Sequence, residues 1–278
     1  MDIKVLYIDT LFWLWGELRA DFSKVSTYYI QRFMNINQQL EKFVPFIPHY
    51  KVVNPLISHE LNPKKEENFV LVNLGGIDTI YHETSEYYEA LVSHISDCIS
   101  LKDHKIIIAG GGNTIEKLRQ RYSTSNLILG CFSKEKFKEL FLTCSKFITS
   151  PGLTSIHESH FVSKDVFFLP PQNYSQYLHL GYLRKIISDL NSSSYEDFFQ
   201  VNPIPEYLKE DIGISYVKEL SNRLINNRKN MDCLTSSLLK FILSPKKKFC
   251  LNPELFFSCS GVEEIGNDIV KLCEQDYV

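Results

Sequence analysis

The sequence predicts an α/β fold with a doubly wound parallel sheet, and three observations point to it. Short apolar runs alternate with longer amphipathic segments from Asn68 to about Arg184. These runs are rich in β-branched and aromatic residues, and they lack the apolar–polar alternation of strands that are exposed on one face. Two of the runs end in glycine clusters, as tight turns from a strand into a helix often do. Together these features indicate a sheet that crossover helices cover on both faces.

Each apolar run predicts one buried strand, and the helical spacing between the runs predicts the crossover helices. The expected strands are Phe69–Leu74, Lys105–Ala109, Asn126–Leu129, Lys146–Thr149 and Asp165–Leu169. The expected helices include Tyr87–Ile99, Lys134–Cys144 and Thr154–Phe161. We therefore expect one complete domain, at residues 66–190.

The segments on either side of this domain have a different pattern. Val5–Asp9 predicts one strand and Thr27–Met34 a short helix, and the polar, proline-containing residues 60–67 are typical of a linker. After about residue 194 the strand signal fades, and helical segments follow at Ile212–Ile225, Cys233–Leu243 and Val262–Cys273. The expected organisation is a partial N-terminal segment at 1–60 and a helical tail at 200–278.

Charge and cysteine content narrow the class of protein. Thirty Lys and Arg against 33 Asp and Glu give the 278 residues a net charge of −3, whereas nonspecific nucleic-acid binding needs an excess of positive charge. The seven cysteines include no CxxC pair, which favours reduced thiols in a cytoplasmic protein over a zinc ribbon or a disulfide framework. The sequence shows no signal-peptide pattern, and no apolar stretch approaches the ~18 residues of a membrane span. Neither nucleic acid nor a membrane is therefore an expected partner.

Three predicted strand ends carry loops whose composition suits an anion. They are Gly75-Gly76-Ile77-Asp78-Thr79, Gly110-Gly111-Gly112-Asn113-Thr114 and Ser150-Pro151-Gly152-Leu153-Thr154-Ser155. Glycine lets a phosphate approach the backbone closely, and the exposed amides of a helix N-terminus favour a negative charge. None of the loops matches the P-loop pattern GxxxxGK[ST] or the dinucleotide fingerprint GxGxxG, and no GxSxG elbow occurs. These absences argue against a P-loop NTPase, a nicotinamide or flavin enzyme and a serine hydrolase.

The strongest motif is a pair of segments on consecutive strand ends. Residues 149–158 end one strand and open a helix, with Glu158 six residues after Gly152. One strand later comes Pro170-Pro171-Gln172-Asn173-Tyr174-Ser175-Gln176. The combination resembles the donor-binding, Rossmann-like half of GT-B glycosyltransferases, in particular the lipid-linked N-acetylglucosaminyltransferase of peptidoglycan synthesis and the UDP-glycosyltransferases. The resemblance covers about residues 3–185 and is most specific at 149–176.

The resemblance implies a role for each of these positions in binding a nucleotide sugar. The helix-turn amides would hold the diphosphate, the glutamate would take the ribose hydroxyls, and the final glutamine would reach the sugar hydroxyls. The loop after the third strand would hold the base. The implied donor-binding residues are Gly75, Gly76, Asp78, Thr79, Gly111, Phe132, Gly152, Leu153, Thr154, Glu158, Gln172, Asn173 and Gln176. Ser175 stands where the family often has an acidic residue, so the identity of the sugar stays open.

The N-terminal segment resembles a narrower group. Its run Tyr7–Trp15 is similar to one in cytosylglucuronate synthase-like enzymes, which join a glucuronyl donor to cytosine. Asp9, which closes the first predicted strand, is a candidate catalytic base, with a turn cap as its alternative role. A GT-B enzyme places its acceptor on an N-terminal domain, and only about sixty residues precede the donor domain here.

The expected activity is transfer of a sugar from a nucleotide diphosphate, with UDP the favoured nucleotide, to a small-molecule acceptor. The resemblance implies no obligatory metal and no other cofactor. Two alternatives stay open: a nucleotide-sugar-binding module that a partner chain completes or that acts as a sensor, and a hydrolase or epimerase of nucleotide sugars. The sequence leaves open whether the protein forms a homodimer or binds a partner chain that carries the acceptor domain. His157 and His160 have a spacing that two metal ligands can share, but no third ligand is evident and no metal site is expected.

Overall fold

The structure is a computed structural model that describes residues 3–14, 16–17, 22–33, 36–57, 61–62, 64–75, 85–97, 104–122, 127–202, 208–251 and 260–275. The chain divides into two compact units. The larger unit comprises Leu61–Ile204 and Lys209–Cys250, and the smaller comprises Met1–Glu60, Pro205–Leu208 and Leu251–Val278.

The larger unit is built on a five-stranded sheet in which every pair of strands is parallel. Its strands are β4 (Glu67–Asn73), β5 (Ile106–Ala109), β6 (Leu127–Gly130), β7 (Cys144–Thr149) and β8 (Val166–Phe168). The order across the sheet is β6-β5-β4-β7-β8. The chain therefore winds away from β4 in one direction and then in the other, which confirms the doubly wound parallel sheet and the α/β class.

Helices cover both faces of this sheet. They are α2 (Ser85–Asp97), α3 (Gly112–Arg121), α4 (Lys134–Thr143), α5 (Leu153–Phe161), α6 (Tyr174–Ile186), α7 (Glu210–Ile225) and α8 (Arg228–Leu243). Because successive strand residues point to opposite faces, Val70 and Val72 join a large apolar cluster with residues of α2, α7 and α8. On the other face the Phe141 ring of α4 packs edge-on against Phe147, with centroids 4.9 Å apart. Burial on both faces explains why the strands consist of continuous apolar runs.

The smaller unit has its own parallel sheet, in the order β1 (Leu6–Asp9), β2 (Thr27–Gln31) and β3 (Tyr50–Val53). Tyr28 and Ile30 point to one face, in a cluster with residues of α1 (Ile36–Phe43). Tyr29 points to the other face, where it packs against Ile265 of α9 (Gly261–Gln275). The unit thus has a helix layer on each side of its sheet.

The prediction of a helix at Thr27–Met34 is wrong, because residues 27–31 form β2. The strand pairs on both sides, with β1 and with β3, and its tyrosines and isoleucine are buried. β-branched and aromatic residues suit such a pleated, buried position. The tertiary partners of β2 decide its structure, and the local sequence does not contain them.

The predicted helices of the tail divide between the units. α7 and α8 lie in the larger unit and α9 lies in the smaller one. Asp268 of α9 accepts a hydrogen bond from Lys51 Nζ at 2.7 Å, and Glu264 accepts one from the Asn54 amide at 3.2 Å. Among the helices within the described ranges, none has the length and apolar composition that crossing a bilayer requires.

Candidate functional site

The five-stranded sheet changes winding direction between β4 and β7. The chain passes outward through β5 and β6 and then returns to place β7 and β8 on the other side of β4. The loops on the two sides of such a switch point diverge, and open α/β sheets bind ligands in the resulting crevice at the carboxyl ends of the strands. The loops after Asn73 and Thr149 therefore border the candidate site.

Asn73 and Thr149, the last residues of β4 and β7, are neighbours at this switch point. They are register partners in the parallel ladder, and Asn73 Nδ2 donates to Thr149 Oγ1 at 3.3 Å. Asn73 Oδ1 accepts a hydrogen bond from the Gly75 amide at 3.0 Å. Gly75 has a φ of +77°, in the left-handed region that favours glycine. One asparagine side chain and one glycine thus set the turn out of β4.

The helix that leaves β7 begins without a side-chain cap. Gly152 is the N-cap residue of α5, and no side chain accepts from its first amides, whereas Ser133 caps α4 and Asn173 caps α6. The amides of the first turn have no acceptor within the helix. Apart from Gly152 itself and its two chain neighbours, no described residue has an atom within 4 Å of the position that a Cβ on Gly152 would take. The first turn of α5 therefore offers hydrogen-bond donors and the positive end of a helix dipole to an anion.

Glu158 lies on the second turn of α5 and is half-buried. Burial raises the pKa of its carboxyl above the ordinary value of 4.5, although Lys134 and Lys138 of α4 act in the opposite direction. A carboxylate that has lost part of its hydration gains most from new hydrogen-bond donors. The side chain is therefore suited to accept hydrogen bonds from the hydroxyl groups of a ligand.

The turn after β8 contains the predicted sugar-binding residues, and their side chains differ in how far a ligand can reach them. Asn173 Oδ1 accepts from the Gln176 amide at 2.9 Å and caps α6. Gln176 Oε1 accepts from the Gln172 amide at 2.8 Å, so its NH₂ group is the part suited to a ligand. The buried Gln172 side chain donates to the carbonyls of Pro170 and Pro171 at 2.9 and 3.1 Å. Gln172 and Asn173 shape the turn, and Gln176 has the more accessible glutamine side chain.

Phe132 and Gly111 lie on the β5–β6 side of the switch point, at the same edge of the sheet. The Phe132 ring rests on Gly130, the last residue of β6, and a Cβ on residue 130 would be 2.2 Å from the ring Cζ. A side chain at residue 130 would therefore displace the ring from this position. Gly111 is the N-cap residue of α3, which also begins without a side-chain cap. Gly75 after β4, Gly111 after β5 and Phe132 after β6 thus lie at the same edge of the sheet as the start of α5.

Three predicted phosphate-loop residues, Gly76, Asp78 and Thr79, lie outside the described residues, so their role remains a prediction.

Asp9, the candidate catalytic base, lies in the smaller unit. Its Oδ1 accepts a hydrogen bond from the Leu11 amide at 2.7 Å and its Oδ2 accepts one from Tyr28 Oη at 2.5 Å. Burial raises the pKa of Asp9, and these hydrogen bonds act against that shift. Both carboxylate oxygens therefore already serve the local fold at the end of β1.

Sequence reasoning missed several residues that hold the site. Tyr88 Oη and Ser150 Oγ are hydrogen-bonded at 3.3 Å, and His179 Nδ1 lies 2.8 Å from the carbonyl oxygen of Pro151. These contacts join residues 62 and 28 positions apart in the chain, so no local pattern contains them. Asn73 and Thr149 had a visible signal, because each is the polar residue that closes an apolar run.

The two histidines of α5 lie in surroundings that disfavour the protonated imidazole. Burial lowers the pKa of His157 to about 3 and that of His160 to about 4. His157 is almost fully buried, with 4% of its surface exposed. Within the described ranges, no three His, Cys, Asp or Glu side chains gather in a way that could hold a metal ion.

Comparisons with known proteins give matches among solved structures. No protein-family model matches the chain, and no curated protein matches its sequence. The chain is similar to UGT89C1 of Arabidopsis thaliana solved with UDP, at 14% identity and a TM-score of 0.47, over 85% of this chain and 67% of that one. It is also similar to a UDP-glucosyltransferase from Polygonum tinctorium, at 12% identity and a TM-score of 0.40, over 80% and 55% of the two chains. TarM matches at 12% identity and a TM-score of 0.36, over 80% and 41%.

Proposed function

We propose that the chain is a GT-B-type glycosyltransferase whose larger unit binds a nucleotide-diphosphate sugar, with UDP as the nucleotide. The observation that carries the proposal is the pairing, at the switch point of the sheet, of an uncapped helix N-terminus with a half-buried glutamate one turn further on. A ribonucleoside diphosphate carries the complementary groups, an anionic diphosphate and the vicinal diol of its ribose. The sequence resemblance at residues 149–176 supports the same assignment.

Each part of the donor has a chemically suited group at this edge of the sheet. The amides of Leu153 and Thr154 at the start of α5 donate to the diphosphate, and Glu158 accepts from the ribose hydroxyls. Phe132 offers a ring face on which a base can stack. Gln176 donates its NH₂ group to a sugar hydroxyl, within a turn that Gln172 and Asn173 hold in shape.

The α5 N-terminus also has a role in the transfer step. As the bond between the anomeric carbon and the diphosphate oxygen breaks, negative charge grows on the leaving diphosphate. Fixed backbone amides stabilise such charge without reorganising. We therefore propose that no metal ion is obligatory, and we expect the affinity for UDP to be equal in EDTA and in Mg²⁺.

Calorimetry with UDP and UDP-sugars tests the proposal. We expect UDP to bind, and Glu158→Ala to weaken binding by about 1–3 kcal/mol, because the ribose loses its acceptor. The matched control is Glu139→Ala, which removes a glutamate at the same position of the neighbouring helix α4, where it pairs with Lys136 on the surface. Absence of UDP binding at millimolar concentration, or equal losses in the two variants, would contradict the proposal.

A binding module without transferase activity is the alternative from another class. It predicts the same UDP affinity but no release of UDP from UDP-sugars with any small-molecule acceptor. Addition of a candidate acceptor-binding partner chain then separates a split enzyme, which gains turnover, from a sensor, which does not.

A further inference from the structure

His179 of α6 is hydrogen-bonded to the loop that leads into α5. Its Nδ1 is 2.8 Å from the carbonyl oxygen of Pro151, and the imidazole is buried, with 2% of its surface exposed. A carbonyl oxygen can only accept a hydrogen bond, so Nδ1 is the ring nitrogen that carries the hydrogen. Burial lowers the pKa of His179 to about 4, which keeps the ring neutral near neutral pH.

The carbonyl that His179 contacts belongs to the peptide group immediately before α5. The other polar end of the same planar peptide group is the Gly152 amide, which donates to the Ser150 carbonyl at 2.7 Å. One peptide plane is therefore held at both ends, by His179 on one side and by Ser150 on the other. Together with the φ of −73° and ψ of 146° at Gly152, the orientation of this plane determines the direction in which the amides from Leu153 onward point.

We propose that His179 is a positioning residue that aligns the α5 amides for the diphosphate, without itself contacting the ligand. The inference rests on the proposed function of the α5 N-terminus. His179 connects two parts of the site, because the helix that carries it is capped by Asn173, in the turn predicted to bind the sugar.

Two amide variants separate the hydrogen bond from simple packing. Asn places its Nδ2 near the position of the imidazole Nδ1, whereas Gln places its Nε2 near that of the imidazole Nε2. His179→Asn therefore keeps a donor towards Pro151, and His179→Gln does not, although both introduce a neutral amide into the same buried space.

The test compares the affinity of wild type, H179N and H179Q for UDP and for uridine, measured by calorimetry. We expect H179Q to bind UDP about five- to tenfold more weakly and uridine with unchanged affinity, because only the diphosphate contacts the amides of α5. We expect H179N to restore most of the UDP affinity. Equal UDP affinity in wild type and H179Q, or equal losses for UDP and uridine, would overturn the inference.

Amide hydrogen exchange without ligand provides a readout that does not depend on nucleotide binding. We expect faster exchange of the Gly152 and Ile156 amides, which donate to the carbonyls of Ser150 and Gly152, in H179Q than in H179N, at equal global stability. If wild type fails to bind UDP, the proposed function fails, and the exchange comparison still decides whether His179 holds the loop. If H179Q does not fold, H179N decides alone: slow exchange as in wild type supports the inference, and fast exchange overturns it.

Discussion

The side-chain amide of Asn73 donates to the hydroxyl of Thr149 at 3.3 Å, and this hydrogen bond joins the two strands at which the sheet changes winding direction. Each partner also holds its own loop, since Asn73 Oδ1 accepts from the Gly75 amide and Thr149 Oγ1 donates to the Ser150 carbonyl. The loops that border the candidate site are thus coupled through one pair of side chains.

Thr149→Val should destabilise the protein by about 1–3 kcal/mol. Valine has nearly the same shape, but at residue 149, which is 1% exposed, it leaves the half-buried side-chain amide of Asn73 without its acceptor and the Ser150 carbonyl without its donor. Urea unfolding measures the loss. Thr149→Ser keeps the hydroxyl and should retain most of the stability. Equal stability of the valine variant and wild type would show that the hydrogen bond contributes nothing.

Gly152→Ala should fold normally and lose UDP affinity. The backbone of Gly152 has a φ of −73°, which alanine adopts readily, and open space surrounds the new methyl group, so stability should change by less than about 1 kcal/mol. A phosphate at the α5 N-terminus would meet this methyl group, and we expect at least about a tenfold weaker affinity. Gly181→Ala, at an exposed and equally open position of α6, is the control and should bind UDP as wild type does.

Glu158→Gln should stabilise the ligand-free protein near neutral pH and reduce the stabilisation by UDP. The folded-state pKa of Glu158 is raised, so the folded protein holds this proton more tightly than the unfolded chain does. The contribution of Glu158 to stability therefore falls as the pH rises from the unfolded value of about 4.5 through the folded value. Above this pH range the ionised Glu158 carboxylate destabilises the folded protein by its full amount, and substitution by glutamine removes this destabilisation.

Unfolding midpoints in urea at acidic and neutral pH check the Glu158 prediction. The stabilising effect of the glutamine variant should shrink as the pH falls towards the unfolded pKa. A constant effect across the pH range would mean that ionisation of Glu158 is not its cause. Saturating UDP should raise the midpoint of wild type more than that of the variant.

Gly130→Ala should displace the Phe132 ring and weaken binding of the nucleoside. The methyl group would clash with the ring, which must move or push the strand end. Stacking of a base on an aromatic side chain is worth about 1–3 kcal/mol. Phe132→Ala should cause a similar loss of uridine affinity, and the double variant should lose no more than either single variant. Additive losses would place the two residues in independent roles.

The Asp9→Asn variant distinguishes a catalytic role of Asp9 from a purely structural role as a turn cap. Since both oxygens accept hydrogen bonds within the smaller unit, we expect a loss of about 1 kcal/mol in stability and an unchanged affinity for UDP. Tyr28→Phe removes one of the same hydrogen bonds and keeps the carboxylate. A fall in turnover of about a hundredfold or more in the Asp9 variant alone would identify Asp9 as the general base. Equal turnover in both variants would leave it as a turn cap.

The sheet of the larger unit could be predicted because its strands are buried on both faces. A run such as Ile106–Ala109 needs only its own composition to be recognised, and the structure has its strand there. β2 could not be predicted in this way, since Tyr28 and Tyr29 suit a strand only with β1 and β3 beside them. The same distinction holds in the site. Gly152 and Glu158 belong to one short motif, whereas His179 gains its role from a carbonyl 28 residues away.

The position of α9 has a consequence for the order in which the chain can acquire its structure during synthesis. The smaller unit contains the first strand of the chain, yet one of its two helix layers is α9, which follows the whole of the larger unit in the sequence. On the ribosome, the larger unit is fully synthesised while Tyr29 and Val53 still lack their partner Ile265. The N-terminal part of the smaller unit is therefore made before the larger unit but completed after it, and until then it exposes apolar strand surface to which chaperones can bind.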